Sequence, residues 1–290
     1  MSRRCYLIVN PTSGSYTRQK IDGVMSVLER GGLVPQLLLT GSAADASLFA
    51  RRICEAEATP FIITGGGDGT INGVVNGLAP GRGTLGLLPL GTANVLAKVL
   101  NIQTMDGAVA KILRGETRPL SVGLLEAAGV RKYFFLMAGI GLDGAVVEGV
   151  RLTEKRAIGK GAYLLSALRR LADWDRQRLE IRADGKRIEC HSVVVCNGAK
   201  YGGDFVLAPE ADIFAPGFQV FCVKGNRRRT YLRLALSMAA GRLPAGNDIT
   251  SFYARNLEVS GSKAVQVDGD YCCHAPLNIT AVENFVRVIV

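Results

Sequence analysis

At 290 residues the chain is long for a single core, and 35 basic against 25 acidic side chains give it a formal charge of +10, which favours a polyanionic partner. Hydrophobic residues at 48% and charged residues at 21% exclude a disordered, collagen-like or coiled-coil chain, and no apolar run reaches the roughly 18 residues of a membrane span. With His191 and His274 as the only histidines, both read as structural, zinc clusters and histidine triads lack raw material, so acid–base chemistry falls to carboxylates.

The first apolar run meets Pro11 at once, which is not the pattern of a signal peptide. Buried strands are predicted over residues 5–9, 35–39, 61–64 and 85–88. Between them Ile21/Val24/Met25/Leu28, Ala46/Phe49/Ala50/Ile53 and Ile71/Val74/Val75/Leu78 each follow the 0, 3, 4, 7 spacing of one helix face. This alternation predicts an N-terminal parallel α/β lobe over residues 1–120.

Past Pro119 the period changes. Residues 120–125 and 133–137 flank an Ala-Ala-Gly turn, and 179–183 and 187–190 flank Asp184-Gly185, a hairpin signal. Further strands are predicted at 193–196, 219–223, 257–260, 264–267, 277–281 and 285–290, with helices near 161–174 and 229–240. The second lobe, residues 121–290, is therefore expected to be mainly antiparallel β, its last strand free to return to the first lobe. Seven cysteines without a C-x-x-C pair, and with Cys272 and Cys273 adjacent, predict reduced thiols and a cytoplasmic chain.

Thr64-Gly65-Gly66-Gly67-Asp68-Gly69-Thr70 lies between a strand and a helix, where successive N–H groups and the helix dipole suit phosphate oxygens. It matches neither G-x-G-x-x-G nor G-x-x-x-x-G-K-[ST]. A plain strand-to-helix turn needs one or two glycines and gives no reason for an aspartate at its centre. Asn10-Pro11-Thr12-Ser13-Gly14 and Pro89-Leu90-Gly91-Thr92-Ala93-Asn94 end the first and fourth strands. Each alone is also readable as a turn with a capping Ser13 or Thr92; carboxyl ends of parallel strands share one ligand-binding edge.

In this order, Asn10 to Gly14, Gly66-Gly67-Asp68-Gly69-Thr70 and Gly91-Thr92-Ala93-Asn94 resemble the nucleotide-binding lobe of the diacylglycerol kinase catalytic-domain family, which includes bacterial lipid kinases, sphingosine kinases and ceramide kinases. The resemblance continues through Gly139-Ile140-Gly141-Leu142-Asp143, Asn197-Gly198 with Gly202-Gly203, Ala208-Pro209 with Ala211, and Val267-Asp268-Gly269-Asp270. Gly-Gly-Asp-Gly-Thr alone is less specific, being shared with NAD kinases and 6-phosphofructokinases.

The resemblance implies transfer of the γ-phosphoryl group of ATP to a lipid hydroxyl with Mg²⁺, in a cleft between an ATP-binding lobe and a lipid-binding lobe. It implies that Asn10, Ser13, Gly14, Gly65, Gly66, Gly67, Gly69, Thr70, Gly91, Thr92 and Asn94 surround the nucleotide, with Asp68 at the phosphates and the metal. Asp143 would help to place the acceptor hydroxyl. Asp270 stands where many members carry a glutamate general base and, one methylene shorter, would sit nearer its target or act through water. Its competing reading is a hairpin residue beside Asp268-Gly269.

Four positions depart from the family pattern: Gly73 stands where many members carry a glutamate, Val95 replaces an acidic residue and so removes a carboxylate from a metal-binding loop, and Ala215 and Gln219 stand where some members have aspartates holding a structural magnesium, so that second metal is not expected. Arg151, Lys155, Arg156, Lys160, Arg169, Arg170, Arg176 and Arg178 flank the apolar residues 163–165. That segment is either a surface lying on an acidic membrane, making the protein peripherally membrane-associated, or a core helix with a solvated basic face. Arg227-Arg228-Arg229 is a second basic patch, read as a charge cluster flanking a helix. No nucleic-acid-binding signature occurs. The rival readings are an NAD kinase and a nucleotide- and lipid-binding regulator without turnover.

Overall fold

Cys5 to Val9 are apolar on both faces, and such a strand needs cover on both sides. In the computed structural model, which describes residues 3–151, 153–154, 161–201, 205–242 and 246–290, this stretch is central in a parallel sheet. The chain divides into two units, Met1–Val122 with Val282–Val290, and Gly123–Ala281.

Unit 1 alternates β1 (Arg3–Val9), α1 (Arg18–Arg30), β2 (Leu33–Leu39), α2 (Asp45–Ala56), β3 (Phe61–Gly66), α3 (Asp68–Gly77), β4 (Thr84–Pro89), α4 (Val95–Val99) and α5 (Met105–Arg114), then enters β5 (Thr117–Ala127). The parallel order is β2-β1-β3-β4. Helix α1 starts where Thr17 accepts from Lys20 N–H at 3.2 Å, and buries Ile21, Val24 and Leu28, three of its four predicted face positions. Helices α2 and α3 cross closely: a Cβ on Gly73 would lie 2.8 Å from Ala46 Cβ, and one on Gly77 2.8 Å from Ala50 Cβ.

Unit 2 continues with β6 (Val130–Phe134), β7 (Met137–Ile140), α6 (Leu142–Glu148), α7 (Gly161–Ala172), β8 (Leu179–Ala183), β9 (Lys186–Cys190), β10 (Ser192–Cys196), β11 (Lys200–Tyr201), β12 (Phe205–Val206) and β13 (Phe218–Val223). Then come α8 (Arg228–Ala239), β14 (Ile249–Ala254), β15 (Asn256–Ser260), β16 (Ala264–Val267), β17 (Asp270–His274) and β18 (Leu277–Ile289). A sheet ordered β14-β13-β10-β7-β16-β17 is antiparallel throughout. A second layer pairs β15 with β8 and with the first residues of β18. The core lies between the layers, where Ile140, Val195, Val220 and Val265 meet Ile181, Leu257 and Ile279. This is the expected architecture of a parallel α/β lobe and an antiparallel β lobe.

Two expectations are corrected. The strand expected to be buried at 35–39 lies in β2, which is the edge strand of the sheet, and none of its residues is buried. The two strands predicted at 277–281 and 285–290 are a single strand, β18, which pairs antiparallel with β15 in unit 2 and parallel with β4 in unit 1. Asn284 takes a left-handed φ of 50° within it, so exposed Glu283 and Asn284 interrupt the apolar alternation without ending the strand.

Candidate active site

In unit 1, register brings the carboxyl ends of β1, β3 and β4 level: Val9 pairs with Gly65, and Gly66 with Pro89. The loops that follow are tied to one another. Asn10 N–H donates to Gly65 O at 2.8 Å, and Ser15 donates to Leu90 O through its N–H at 3.1 Å and its hydroxyl at 2.9 Å. Asn10 Oδ1 accepts from Thr12 N–H at 2.9 Å and from the Thr12 hydroxyl at 2.8 Å, an Asx-type turn that leads into Ser13 and Gly14. A Cβ on Gly14 would be in ordinary contact with Thr92 Oγ1, 3.7 Å away.

Gly65 and Gly66 lie within β3, not in the loop. A Cβ on Gly65 would press on Val9 and Leu90, and one on Gly66 would strike Thr70, so both make room for packing. Gly67 and Gly91 are different. A Cβ on Gly91 would run into the Cα of Gly67, so the close approach of these two backbones requires glycine at 91. Asp68, Gly69 and Thr70 form the first turn of α3; Thr70 N–H donates to Gly67 O at 3.0 Å, and the N–H groups of Asp68 and Gly69 find no acceptor within the helix.

The Asp68 carboxylate accepts from Val95 N–H at 3.0 Å and from Leu96 N–H at 3.1 Å, so it caps α4 from a distant part of the chain. This supplies the structural reason for an aspartate that a simple turn lacks. Asn94 precedes α4 with φ 47° and donates from Nδ2 to Gly91 O at 2.8 Å. Its Oδ1 is buried and has no hydrogen-bond partner among the described residues. A buried acceptor left open beside a backbone cradle fits a ligand that brings a donor, as a nucleotide hydroxyl or amine does.

In unit 2, Asp143 is the second residue of α6. Its Oδ1 accepts from the Tyr201 hydroxyl at 2.5 Å and its Oδ2 from Gln266 Nε2 at 2.7 Å. A Cβ on Gly139 would strike the carboxylate, so that glycine makes its space. Burial raises the Asp143 pKa, opposed by the two hydrogen bonds, and burial next to Asp143 raises that of Tyr201 well above its ordinary value, so the phenol remains a donor. Asp270 opens β17 and is exposed. It pairs with Val267 across Asp268 and Gly269, both at positive φ (49° and 91°), the two-residue hairpin its competing reading describes. Asp268 is more than a turn residue: its carboxylate accepts from the N–H groups of Phe135, Leu136 and Met137 at 3.1, 2.9 and 3.0 Å. Of the two histidines expected to be structural, His191 is buried, bonded to Tyr231 Oη at 2.6 Å and Asp175 O at 2.7 Å, whereas His274 is exposed, with Nδ1 2.9 Å from Tyr271 Oη.

The diacylglycerol kinase catalytic domain matches residues 4–125, and the YegS C-terminal NAD kinase beta sandwich-like domain matches residues 137–290. A protein named diacylglycerol kinase from Bacillus subtilis (strain 168) is 30% identical over 298 residues, covering 99% of this chain and 96% of its own. The chain belongs to the diacylglycerol kinase catalytic-domain family. It carries the catalytic domain of an ATP-dependent lipid kinase. A diacylglycerol kinase of Staphylococcus aureus (strain JH9) is 27% identical, covering 99% of this chain and 92% of that one. The crystal structure of a diacylglycerol kinase from Bacillus anthracis str. Sterne shares the fold at TM-score 0.72 and 21% identity, covering 99% and 96% of the two chains. Another from the same organism gives 0.81 at 22%, covering 99% and 95%.

For this lipid kinase the departures have local causes. Gly73, where many members carry an acid, has Ala46 against it and no room for a side chain. Val95 is buried, its N–H held by Asp68. Gln219 accepts from Glu210 N–H at 3.1 Å and donates to Ser251 Oγ at 3.2 Å. Gly202, Gly203, Lys155, Arg156 and Lys160 lie outside the described residues. Of the other basic residues flanking 163–165, Arg169 pairs with Glu154 and Arg170 with Glu148. Sequence reasoning missed Ser15, Tyr201, Gln266 and the anchoring role of Asp268.

Proposed function

We propose that this lipid kinase transfers the γ-phosphoryl group of ATP to the free hydroxyl of diacylglycerol. The observation that carries the phosphoryl-transfer reading is the joined set of β1, β3 and β4 loops, with the Gly67–Gly91 backbone contact, the unpaired Asn94 Oδ1 and the Asp68 carboxylate together. Diacylglycerol, rather than a sphingoid base or ceramide, is taken from the names of the B. subtilis and S. aureus relatives.

The first-turn N–H groups of α3 would hold phosphate oxygens, and Ser13, Thr92 and Asn94 would orient the nucleotide. Asp68 is the candidate Mg²⁺ ligand; each of its oxygens accepts one N–H and keeps a further lone pair. Mg²⁺ neutralises charge on the phosphates when bound. Asp270 would take the proton of the acceptor hydroxyl as that oxygen bonds to the γ-phosphorus and the bond from phosphorus to the leaving ADP oxygen breaks. Asp143, fixed by Tyr201 and Gln266, would place the acceptor. The setting implied is cytoplasmic with peripheral membrane contact.

The test incubates the protein with γ-labelled ATP, Mg²⁺ and separate micellar diacylglycerol, sphingosine and ceramide, with NAD as a further acceptor. Label is expected in diacylglycerol, and Asp270→Asn is expected to lower kcat about a hundredfold or more with little change in ATP affinity. Label in NAD, or in no acceptor, rejects the reading. A kcat within about threefold of the parent in Asp270→Asn leaves Asp270 as a hairpin residue and moves the proton to another acceptor.

A further inference from the structure

Helix α8 presents more apolar surface than the described residues cover. Thr230 and Tyr231, its buried residues, anchor the first turn: Thr230 Oγ1 donates to Asp248 Oδ2 at 3.0 Å and the Tyr231 hydroxyl donates to Ser192 Oγ at 2.7 Å. Arg228 donates to Ala172 O at 3.0 Å. Beyond that turn Leu232 and Leu236 are 57% and 62% exposed. A helix this short normally keeps its shape by packing an apolar face, and here Leu232 and Leu236 stay exposed among the described residues.

Arg229, Leu232, Arg233 and Leu236 follow the 0, 3, 4, 7 spacing and therefore share one face. Neither Arg229 nor Arg233 has an ion pair among the described residues. Helix α7 also exposes Leu164 and Leu168, at 66% and 56%, but its Arg169 and Arg170 are paired with Glu154 and Glu148. Among the described residues, then, α8 rather than α7 carries unpaired cations beside exposed leucines.

We propose that this face of α8 docks on an anionic bilayer, its leucines entering the acyl boundary and its arginines meeting lipid phosphates. A second copy is a poorer occupant, because an isologous contact gathers four arginines into one interface to which α8 brings no carboxylate. The proposal rests on the lipid-kinase reading only in that a membrane-resident substrate gives docking its purpose.

Sedimentation with vesicles of phosphatidylcholine alone, and of phosphatidylcholine with phosphatidylglycerol, reads binding without ATP. The parent is expected to bind the mixed vesicles, to ignore the neutral ones, and to release as salt shortens the screening length below about 8 Å. R229Q/R233Q is expected to weaken binding roughly 25-fold. L236W is expected to be quenched by bromine-labelled acyl chains beyond any quenching of the native protein. The sole native tryptophan, Trp174, lies against Tyr231 with ring centroids 5.2 Å apart, so unchanged Trp174 emission in R229Q/R233Q shows that the anchor of α8 is intact.

Equal binding of R229Q/R233Q and parent, equal binding to neutral vesicles, no added quenching in L236W, or a dimer that Leu236→Ser dissolves each overturns the proposal. Transfer to a monomeric short-chain diacylglycerol separates the two readings. Its survival in R229Q/R233Q alongside lost vesicle binding supports docking by α8. Its absence in the parent rejects the kinase reading, whereas the vesicle results decide the docking surface independently.

Discussion

The Asp143 carboxyl stands between opposing influences. Loss of water pushes its pKa up, the hydrogen bonds from Tyr201 and Gln266 pull it down, and the first is the larger. A carboxyl whose folded pKa lies above the unfolded value of 3.8 binds its proton more tightly when folded. Its contribution to stability is complete below that value and is lost as pH rises through the folded pKa. Asp143→Asn is therefore expected to flatten this loss and to be at least as stable as the parent at neutral pH. The amide has a place: Gly269 N–H holds Gln266 Oε1 at 2.7 Å, so Gln266 Nε2 still meets an oxygen at 143, and the Tyr201 oxygen accepts from the new amide nitrogen. Urea unfolding at acidic and neutral pH measures it, and a steeper fall toward neutral pH in the variant than in the parent contradicts it. Asp143 was visible through its Gly-x-Gly-x-Asp setting. Tyr201 and Gln266, 58 and 123 residues away, were not, because only the folded β11 and β16 bring them to it.

Among the elements, α4 depends most on a single side chain. Five residues are too few to hold a helix by propagation, and the N–H groups of Val95 and Leu96 rely on Asp68. Asp68→Ala is expected to lose about 1–2 kcal/mol of stability as well as phosphate transfer. Asp68→Asn, with one oxygen left, should recover part of the stability and little of the transfer. Far-UV circular dichroism in urea reads stability, since Trp174 lies in unit 2 and is silent about unit 1. Unchanged stability in Asp68→Ala would show that the cap contributes nothing. The same dependence explains what the sequence concealed. Helices α1 to α3 were legible from the period of their apolar residues, and β1 to β4 from their short apolar runs. Helix α6, like α4, is too short to show a period, and Ser192 Oγ accepts from its Leu142 N–H at 3.0 Å. Helix α5 carries its signals locally, in a Thr104 cap bonded to Gly107 N–H at 3.1 Å and in Gly115 at φ 71°. The loops at the sheet edge were legible because glycine, asparagine and hydroxyl residues cluster there; the capping of α4 by Asp68 was not, since it joins the start of α3 to residues distant in sequence.

At the scale of the whole chain, unit 1 is assembled from both ends. Residues 282–290 return to it, pairing Arg287 with Thr84 and Val288 with Leu85, while Gly81 N–H donates to Phe285 O at 2.8 Å and Val290 N–H to Glu116 O at 3.1 Å. Phe285 is fully buried, and Val286, Val288 and Ile289 are buried beside it in sequence. Contacts between the chain's end and β4 close a loop of about two hundred residues, so they form late and unit 1 completes its sheet only when the last residues are in place. Phe285→Ala removes a large core side chain there and is expected to cost about 3–5 kcal/mol. The loss should fall on unit 1. Amide exchange should accelerate in β4 and β1, with the Trp174 emission of unit 2 unmoved under native conditions. Equal acceleration of exchange across both units would mean that they unfold as one, and acceleration confined to unit 2 would deny residues 282–290 their place in the unit 1 core.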